Sequence, residues 1–143
     1  MRILAISGSL RRDSHNSKLL RAAAASPPPG VELELLDPDA LRFLPLYDED
    51  LEHEPPQSVL DLRERVRAAD GLLFATPEYN GSIPGGLKNA VDWLSRPRAT
   101  AALKGKDAAV IGGSTGMFGA VWAQADLRRA LATAGARVVD REL

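Results

Sequence analysis

Residues 76–93 read Thr-Pro-Glu-Tyr-Asn-Gly-Ser-Ile-Pro-Gly-Gly-Leu-Lys-Asn-Ala-Val-Asp-Trp, a run that mixes directional hydrogen-bonding groups with residues that fix or free the backbone. Pro77 and Pro84 lock a dihedral each, while Gly81, Gly85 and Gly86 let main-chain amides approach a ligand where a Cβ would collide. Glu78, Asn80 and Ser82 add polar groups. The chemistry this suits is recognition of a flat ring rich in heteroatoms. Ring nitrogens and carbonyls would accept from the amides of Glu78 to Ser82, with one face against Tyr79 or Ile83. Each residue alone also fits an ordinary strand-to-helix turn; the whole string does not.

Residues 7–17, Ser-Gly-Ser-Leu-Arg-Arg-Asp-Ser-His-Asn-Ser, form a second cluster. Hydroxyls at Ser7, Ser9, Ser14 and Ser17, the Asn16 amide and the Arg11 guanidinium surround the start of a helix, where unpaired amides and the dipole favour an anion. The spacing matches neither a nucleotide P-loop nor Gly-x-Gly-x-x-Gly, so a monophosphate is expected. Ser14 or Asn16 is expected to cap that helix as well. His15 and His53 have no ligand partners at metal spacing, and solvent exposure is expected for both, with no metal site. Residues 112–119, Gly-Gly-Ser-Thr-Gly-Met-Phe-Gly, are a third loop, offering Ser114 and further close backbone approach. A phosphate at one end and a flat ring at the other describe a mononucleotide.

These loops need a scaffold that brings them together. Apolar runs at residues 3–6, 31–35, 72–75, 108–111 and 138–139 read as strands. Segments 16–25, 57–69, 85–94 and 119–134 read as helices, the second introduced by Pro55-Pro56 and striped by Val59, Leu62, Val66 and Ala69. Strand alternating with helix predicts a doubly wound α/β fold, a parallel sheet covered on both faces. In such sheets ligands bind beyond the carboxyl ends of the strands, where the three loops lie. Residues 36–56 are too long for a simple connection, and their prolines forbid one helix; Leu44-Pro45-Leu46-Tyr47-Asp48 is expected to cover the core. After the fifth strand only residues 140–143 remain, so a closing helix is expected to be missing, its face covered by another subunit or the segment shorter than the natural product.

With 143 residues, one domain spanning 1–143 is expected. A hydrophobic fraction of 45% and a charged fraction of 26% are those of a globular protein, and no apolar run reaches the roughly 20 residues that cross a bilayer. The first apolar stretch is too short for a signal peptide, which predicts a cytoplasmic location. Zero cysteines exclude disulfides and thiol redox chemistry, so any redox activity must reside in a bound cofactor. A net charge of −1 speaks against nucleic-acid binding. The charge is uneven: five Lys and Arg in residues 1–25 suit a small anion, whereas the acidic residues of 37–54 are expected to be a solvated loop.

The chain resembles the NADPH-dependent FMN reductase family of quinone, azo and chromate reductases. The matching stretches are Gly8-Ser9-Leu10-Arg11-Arg12-Asp13-Ser14-His15-Asn16 and Pro77-Glu78-Tyr79-Asn80-Gly81-Ser82-Ile83-Pro84-Gly85, followed by Leu87-Lys88-Asn89-Ala90-Val91-Asp92-Trp93. The resemblance implies a flavodoxin-like five-stranded sheet in the order 2-1-3-4-5. It also implies FMN, with its phosphate among Ser9, Arg11, Ser14, Asn16 and Ser17, with His15 inside that stretch. The isoalloxazine would lie among Pro77, Glu78, Tyr79, Asn80, Gly81 and Ser82, with Ser114 nearby. NADPH or NADH would pass hydride to the flavin N5, then yield the cleft to a quinone, azo, nitro, metal oxyanion or free flavin acceptor. No side chain is needed as nucleophile or proton donor, so no catalytic residue is assigned. A homodimer or homotetramer packed through the helix around Trp93 is implied; from the residues alone, Trp93 also reads as core. Two other functions stay open. A flavodoxin-type electron carrier is disfavoured by the near-neutral charge and Arg11, and a Ser-nucleophile phosphate-ester hydrolase lacks a base beside Ser7 or Ser9.

Overall fold

The apolar runs become strands β1 (Arg2–Ser7), β2 (Glu32–Leu35), β3 (Gly71–Thr76), β4 (Asp107–Gly112) and β5 (Arg137–Val138) in a computed structural model that describes residues 1–139. All neighbours pair in parallel, in the order β2-β1-β3-β4-β5. The helices are α1 (His15–Ala25), α2 (Asp39–Arg42), α3 (Gln57–Ala68), α4 (Gly85–Leu94) and α5 (Val121–Thr133).

Alternate strand residues feed two unequal layers. Leu4, Ile6, Leu72, Phe74, Ala108 and Val110 join the main core with the stripes of α3 (Val59, Leu62, Val66), α4 (Leu87, Val91, Trp93, Leu94) and α5 (Leu127, Leu131). On the other face Ala5 and Ala75 pack with Leu20 of α1, and Leu33, Leu73 and Ile111 border them half-buried. Arg63 of α3 is the charged group buried in the main layer. Its Nε and Nη2 donate to the Trp93 carbonyl at 3.3 and 3.2 Å, placing a cation at the negative end of α4. Burial, then neighbouring Arg67, holds its pKa below the usual guanidinium value.

Three differences from expectation have physical reasons, and one open reading is decided. Helix α5 starts at Val121 rather than residue 119 because Gly119 and Ala120 carry φ of 58° and 65°, outside the right-handed helix. Strand β5 is Arg137–Val138, one residue early, since its partners in β4 are Asp107 and Ala108. The stretch 36–56 contains the short α2 and a 3-10 turn at Glu49–Leu51, whose carboxylates cap their own first amides: Asp48 Oδ1 accepts from Asp50 N at 3.0 Å. Finally, Trp93 is core: its side chain is 0% exposed, its Nε1 donates to the Pro45 carbonyl at 2.8 Å, and the Tyr47 ring meets it edge-on at 5.0 Å. Of the two readings of Trp93, core is the one observed, and the exposed side of α4 carries Lys88. Leu44, Pro45 and Tyr47 cover the core as expected of residues 44–48, whereas Leu46, 82% exposed, and Asp48 face solvent. The expected lack of a closing helix concerns residues 140–143, outside the described residues.

Candidate functional site

The three loops leave the carboxyl ends of β1, β3 and β4, adjacent strands, and specific bonds tie them into one wall. The first meets the second where Gly8 N donates to the Ala75 carbonyl at 2.8 Å. A Cβ on Gly8 would stand 2.7 Å from Leu87 Cδ2, so glycine allows that approach without displacing the buried Leu87 side chain. The first meets the third through Asn16, whose buried amide grips Gly113 at both ends. Nδ2 donates to the Gly113 carbonyl at 3.0 Å, and Gly113 N donates to Oδ1 at 2.9 Å. The second is tied to α5 through Glu78. One carboxylate oxygen, Oε2, accepts from Trp122 N at 3.0 Å and Ala123 N at 3.1 Å, the amides of the second and third helical residues. Residue Ala120 cannot cap this helix itself, and Glu78 does so from across the cleft. Ser82 Oγ adds a bond to Asp126 Oδ2 of α5 at 2.8 Å.

These ties use up several groups expected to face a ligand. Ser14 Oγ accepts from Ser17 N at 3.3 Å as the cap of α1. Ser17 Oγ lies 2.8 Å from Ser7 Oγ, Ser9 is buried with Arg11 N donating to its Oγ at 3.4 Å, and Asn16 is held by Gly113. In the second loop, Asn80 and Gly81 have φ of 53° and 74°. Together they make the two-residue type I′ turn that Asn-Gly favours. Tyr79 N donates to the Ser82 carbonyl at 3.0 Å and Ser82 N to the Tyr79 carbonyl at 3.1 Å. The expectation that every amide from Glu78 to Ser82 serves a ring is corrected accordingly: those of Tyr79 and Ser82 close the hairpin. Pro77 is buried at the base of the loop, beneath Gly8. Ser114 Oγ is exposed and accepts from Gly116 N at 3.2 Å.

The remaining donors sit at two places. At the first loop the exposed Arg11 guanidinium and the amides of His15 and Asn16, in the first turn of α1, meet no acceptor among the described residues. At the second, the amides of Glu78, Asn80 and Gly81 likewise meet none, and Tyr79 is 50% exposed. A cation with helix-terminal amides fits a phosphate, and a row of amides beside an open aromatic face fits the edge of a polar ring. His15 and His53 are exposed.

Exposed apolar side chains border this wall and were not singled out from the sequence. Met117 is 90% exposed, and Phe118 and Trp122 pack edge-on at 5.1 Å while remaining 59% and 51% exposed. Trp122 follows directly from the Glu78 cap, since it is the amide of that residue that Glu78 holds. The signal available for it was three bulky apolar residues in a polar loop and at a helix start, where burial offers them nothing.

A family model described as NADPH-dependent FMN reductase matches residues 1–143. The chain is 49% identical over 132 residues to the NAD(P)H-dependent FMN reductase of Pseudomonas aeruginosa, covering 92% of this chain and 69% of that protein. It is 42% identical over 128 residues to a 2-hydroxy-1,4-benzoquinone reductase of a Burkholderia species, covering 90% and 68%. Among solved structures, FerB of Paracoccus denitrificans, a flavoenzyme NAD(P)H:(acceptor) oxidoreductase, superposes with a TM-score of 0.90 at 41% identity, covering 99% of this chain and 76% of that one.

Proposed function

Because the chain belongs to the NADPH-dependent FMN reductase family, we propose that its three loops hold FMN and that the protein reduces a quinone at the expense of NADPH or NADH. The Arg11 guanidinium and the amides of His15 and Asn16 take the phosphate, with the hydroxyls of Ser9, Ser14 and Ser17 behind them. The hairpin of residues 77–82 takes the ring edge, with Ser114 opposite. The bonding that supports this reading is the pair of clasps, Asn16 on Gly113 and Glu78 on α5, which join the loops proposed for phosphate and ring into one wall. FMN, when bound, supplies a ring that accepts hydride from a nicotinamide and passes it on. The chain's own part is positional and electrostatic. Amides of Glu78, Asn80 and Gly81 point at the ring edge, where negative charge is stabilised by donors already in place. The Tyr79 face and the apolar border at Met117, Phe118 and Trp122 keep water from the acceptor. That border favours a flat, apolar acceptor over a metal oxyanion, which selects a quinone among the family's acceptors.

No helix is long and apolar enough to cross a membrane among the described residues. We place the reaction in the cytoplasm, the compartment that supplies reduced nicotinamide, on a single domain spanning residues 1–143, in a homodimer or homotetramer. A cleft of about 750 Å³ between α4 and α5, with Lys88, Asp92, Asp126 and Arg129 at its edges and Ser82 at one end, is the surface that reading uses for the partner. The test is a visible spectrum and an FMN titration of the purified protein, followed by NADPH oxidation with a benzoquinone and no added reductase. Flavin absorption with turnover is expected. Absence of FMN uptake overturns the reading, and flavin uptake without turnover returns the electron carrier.

A further inference from the structure

The chain contains no cysteine and two methionines, Met1 and Met117, so its soft, oxidisable sulfur is confined to two thioethers. They stand at opposite edges of the parallel sheet. Met1 precedes β1, whereas Met117 lies in the loop that leaves the carboxyl end of β4. Met117 is 90% exposed, against 66% for Met1. The residue after it, Phe118, packs edge-on against Trp122 at 5.1 Å, and both rings are more than half exposed. The thioether therefore extends the apolar border of the proposed acceptor site, and it is the member of that border that a single oxygen atom makes polar.

The oxygen donor is hydrogen peroxide. A lone pair on Met117 Sδ forms the S–O bond as the O–O bond breaks, and the departing hydroxide takes the proton of the transferred oxygen to leave as water. Sulfur loses two electrons, and the peroxide is reduced. Flavins carry out oxygen chemistry as well as hydride transfer, so a flavin reductase works where peroxide forms. The product is a polar, chiral sulfoxide, which methionine sulfoxide reductases return to the thioether. Its oxygen is a strong hydrogen-bond acceptor, so a ligand that covers it must strip away its water without replacing the bond. A flat apolar acceptor bears that cost; a small hydrated anion does not cover the site. From the exposure of Met117 and its place beside the Phe118–Trp122 pair, we infer that Met117 is a reversible oxidation site through which peroxide lowers the affinity for apolar quinones. The inference rests on the proposed function and gives its acceptor surface a regulation.

The experiment treats FMN-loaded protein with hydrogen peroxide and follows both methionines by peptide mass. Met117 should gain one oxygen no more slowly than Met1; a Met117 that stays reduced while Met1 is oxidised overturns the inference. KM for a naphthoquinone should rise about three- to tenfold on oxidation, the range of a lost sulfur or aromatic contact, while KM for ferricyanide and for NADPH stays the same. Methionine sulfoxide reductases should restore the original value. Met117→Leu, compared with its own untreated state, should show no rise, and Met117→Gln should show a raised KM without peroxide. An equal rise in Met117→Leu traces the effect to another residue and overturns the inference, as does full oxidation of Met117 with KM unmoved. Quenching of tryptophan fluorescence by the naphthoquinone reads the same surface in FMN-free protein, because Trp122 is 51% exposed and Trp93 is 0% exposed. The dissociation constant should rise by the same factor there. An unchanged constant sinks the inference alone where FMN binds and turnover proceeds. Protein that takes no FMN, yet loses naphthoquinone affinity on oxidation, sinks the proposed function alone.

Discussion

The loop after β3 and the loop after β4 border the same cleft but are built in opposite ways. In the first, residues 77–82, a tight turn consumes two amides, Glu78 caps a distant helix and Ser82 is bonded to Asp126. In the second, past the Gly113 clasp, the internal bonds of residues 114–119 are few: Gly116 N to Ser114 Oγ at 3.2 Å and Gly119 N to the Gly116 carbonyl at 3.4 Å. Its large side chains point outward. A cofactor of one fixed shape needs donors already in place, since every donor that must reorganise weakens the hold. Acceptors of varied outline need an apolar surface that adjusts, which Met and loosely held aromatics provide. Under the proposed function the two loops divide those tasks.

The sharpest test of this division lies in glycines of the looser loop and its base. A Cβ at Gly112 would stand 2.8 Å from the Thr76 carbonyl oxygen and 2.9 Å from Gln124 Cγ, and the first of these is backbone that cannot turn aside. Gly112→Ala should lower stability by about 1–3 kcal/mol, read as a fall in urea midpoint at unchanged m-value. At Gly116 a Cβ meets nothing nearer than Ser114 Oγ at 3.4 Å, so Gly116→Ala should shift stability by no more than about 0.5 kcal/mol. Equal effects at the two positions would show that the loop is as tightly packed as its base.

Glu78 is the next lever. Glu78→Ala removes the acceptor for two amides at the start of α5 and should cost about 0.5–2 kcal/mol. FMN affinity should fall with it, because the hairpin loses its tether. Glu78→Gln keeps an oxygen there and should recover part of both losses. Loss of stability without loss of FMN affinity would mean that the tether does not position the ring site.

The turn itself gives a smaller effect. Asn80 tolerates its left-handed conformation better than most residues, and Asn80→Ala should cost about 1 kcal/mol in unfolding experiments. Asn80→Gly should be close to neutral, since glycine accepts that geometry freely. If both variants behave alike, the turn is not strained.

How much of this could be read beforehand follows from the range of each interaction. The strand and helix segments, the stripe of α3 and the three site loops are local patterns, whereas the strand order rests on the resemblance to the family. Hydrophobic period and Pro-Gly punctuation are visible within a few residues. The Asn80-Gly81 turn was legible too, but a reading of the loop as a row of open amides passed over it, because the same residues suit both. Asn16 and Glu78 were counted as ligand groups; their bonds to Gly113 and to α5 join residues 97 and 44 or more positions apart, which no local pattern encodes. Trp93 was ambiguous for the same reason, as its partner is the carbonyl of Pro45, 48 residues away.

The aromatic pair formed by Phe118 of the looser loop and Trp122 at the start of α5 should show the smallest effect on the fold and a selective one on turnover. Phe118 and Trp122 are more than half exposed, so Phe118→Ala and Trp122→Ala should leave stability within about 0.5 kcal/mol. An aromatic contact with a planar acceptor is worth about 0.5–1.5 kcal/mol beyond area burial, or about two- to tenfold in KM for a naphthoquinone. A compact inorganic acceptor such as ferricyanide makes no such contact, so its KM should not move, and neither should that of the nicotinamide. If KM rises equally for ferricyanide and the quinone, the pair shapes the flavin site and not the acceptor surface. The contrast between the loops would then reduce to a difference in hydrogen bonding, with no division of labour behind it.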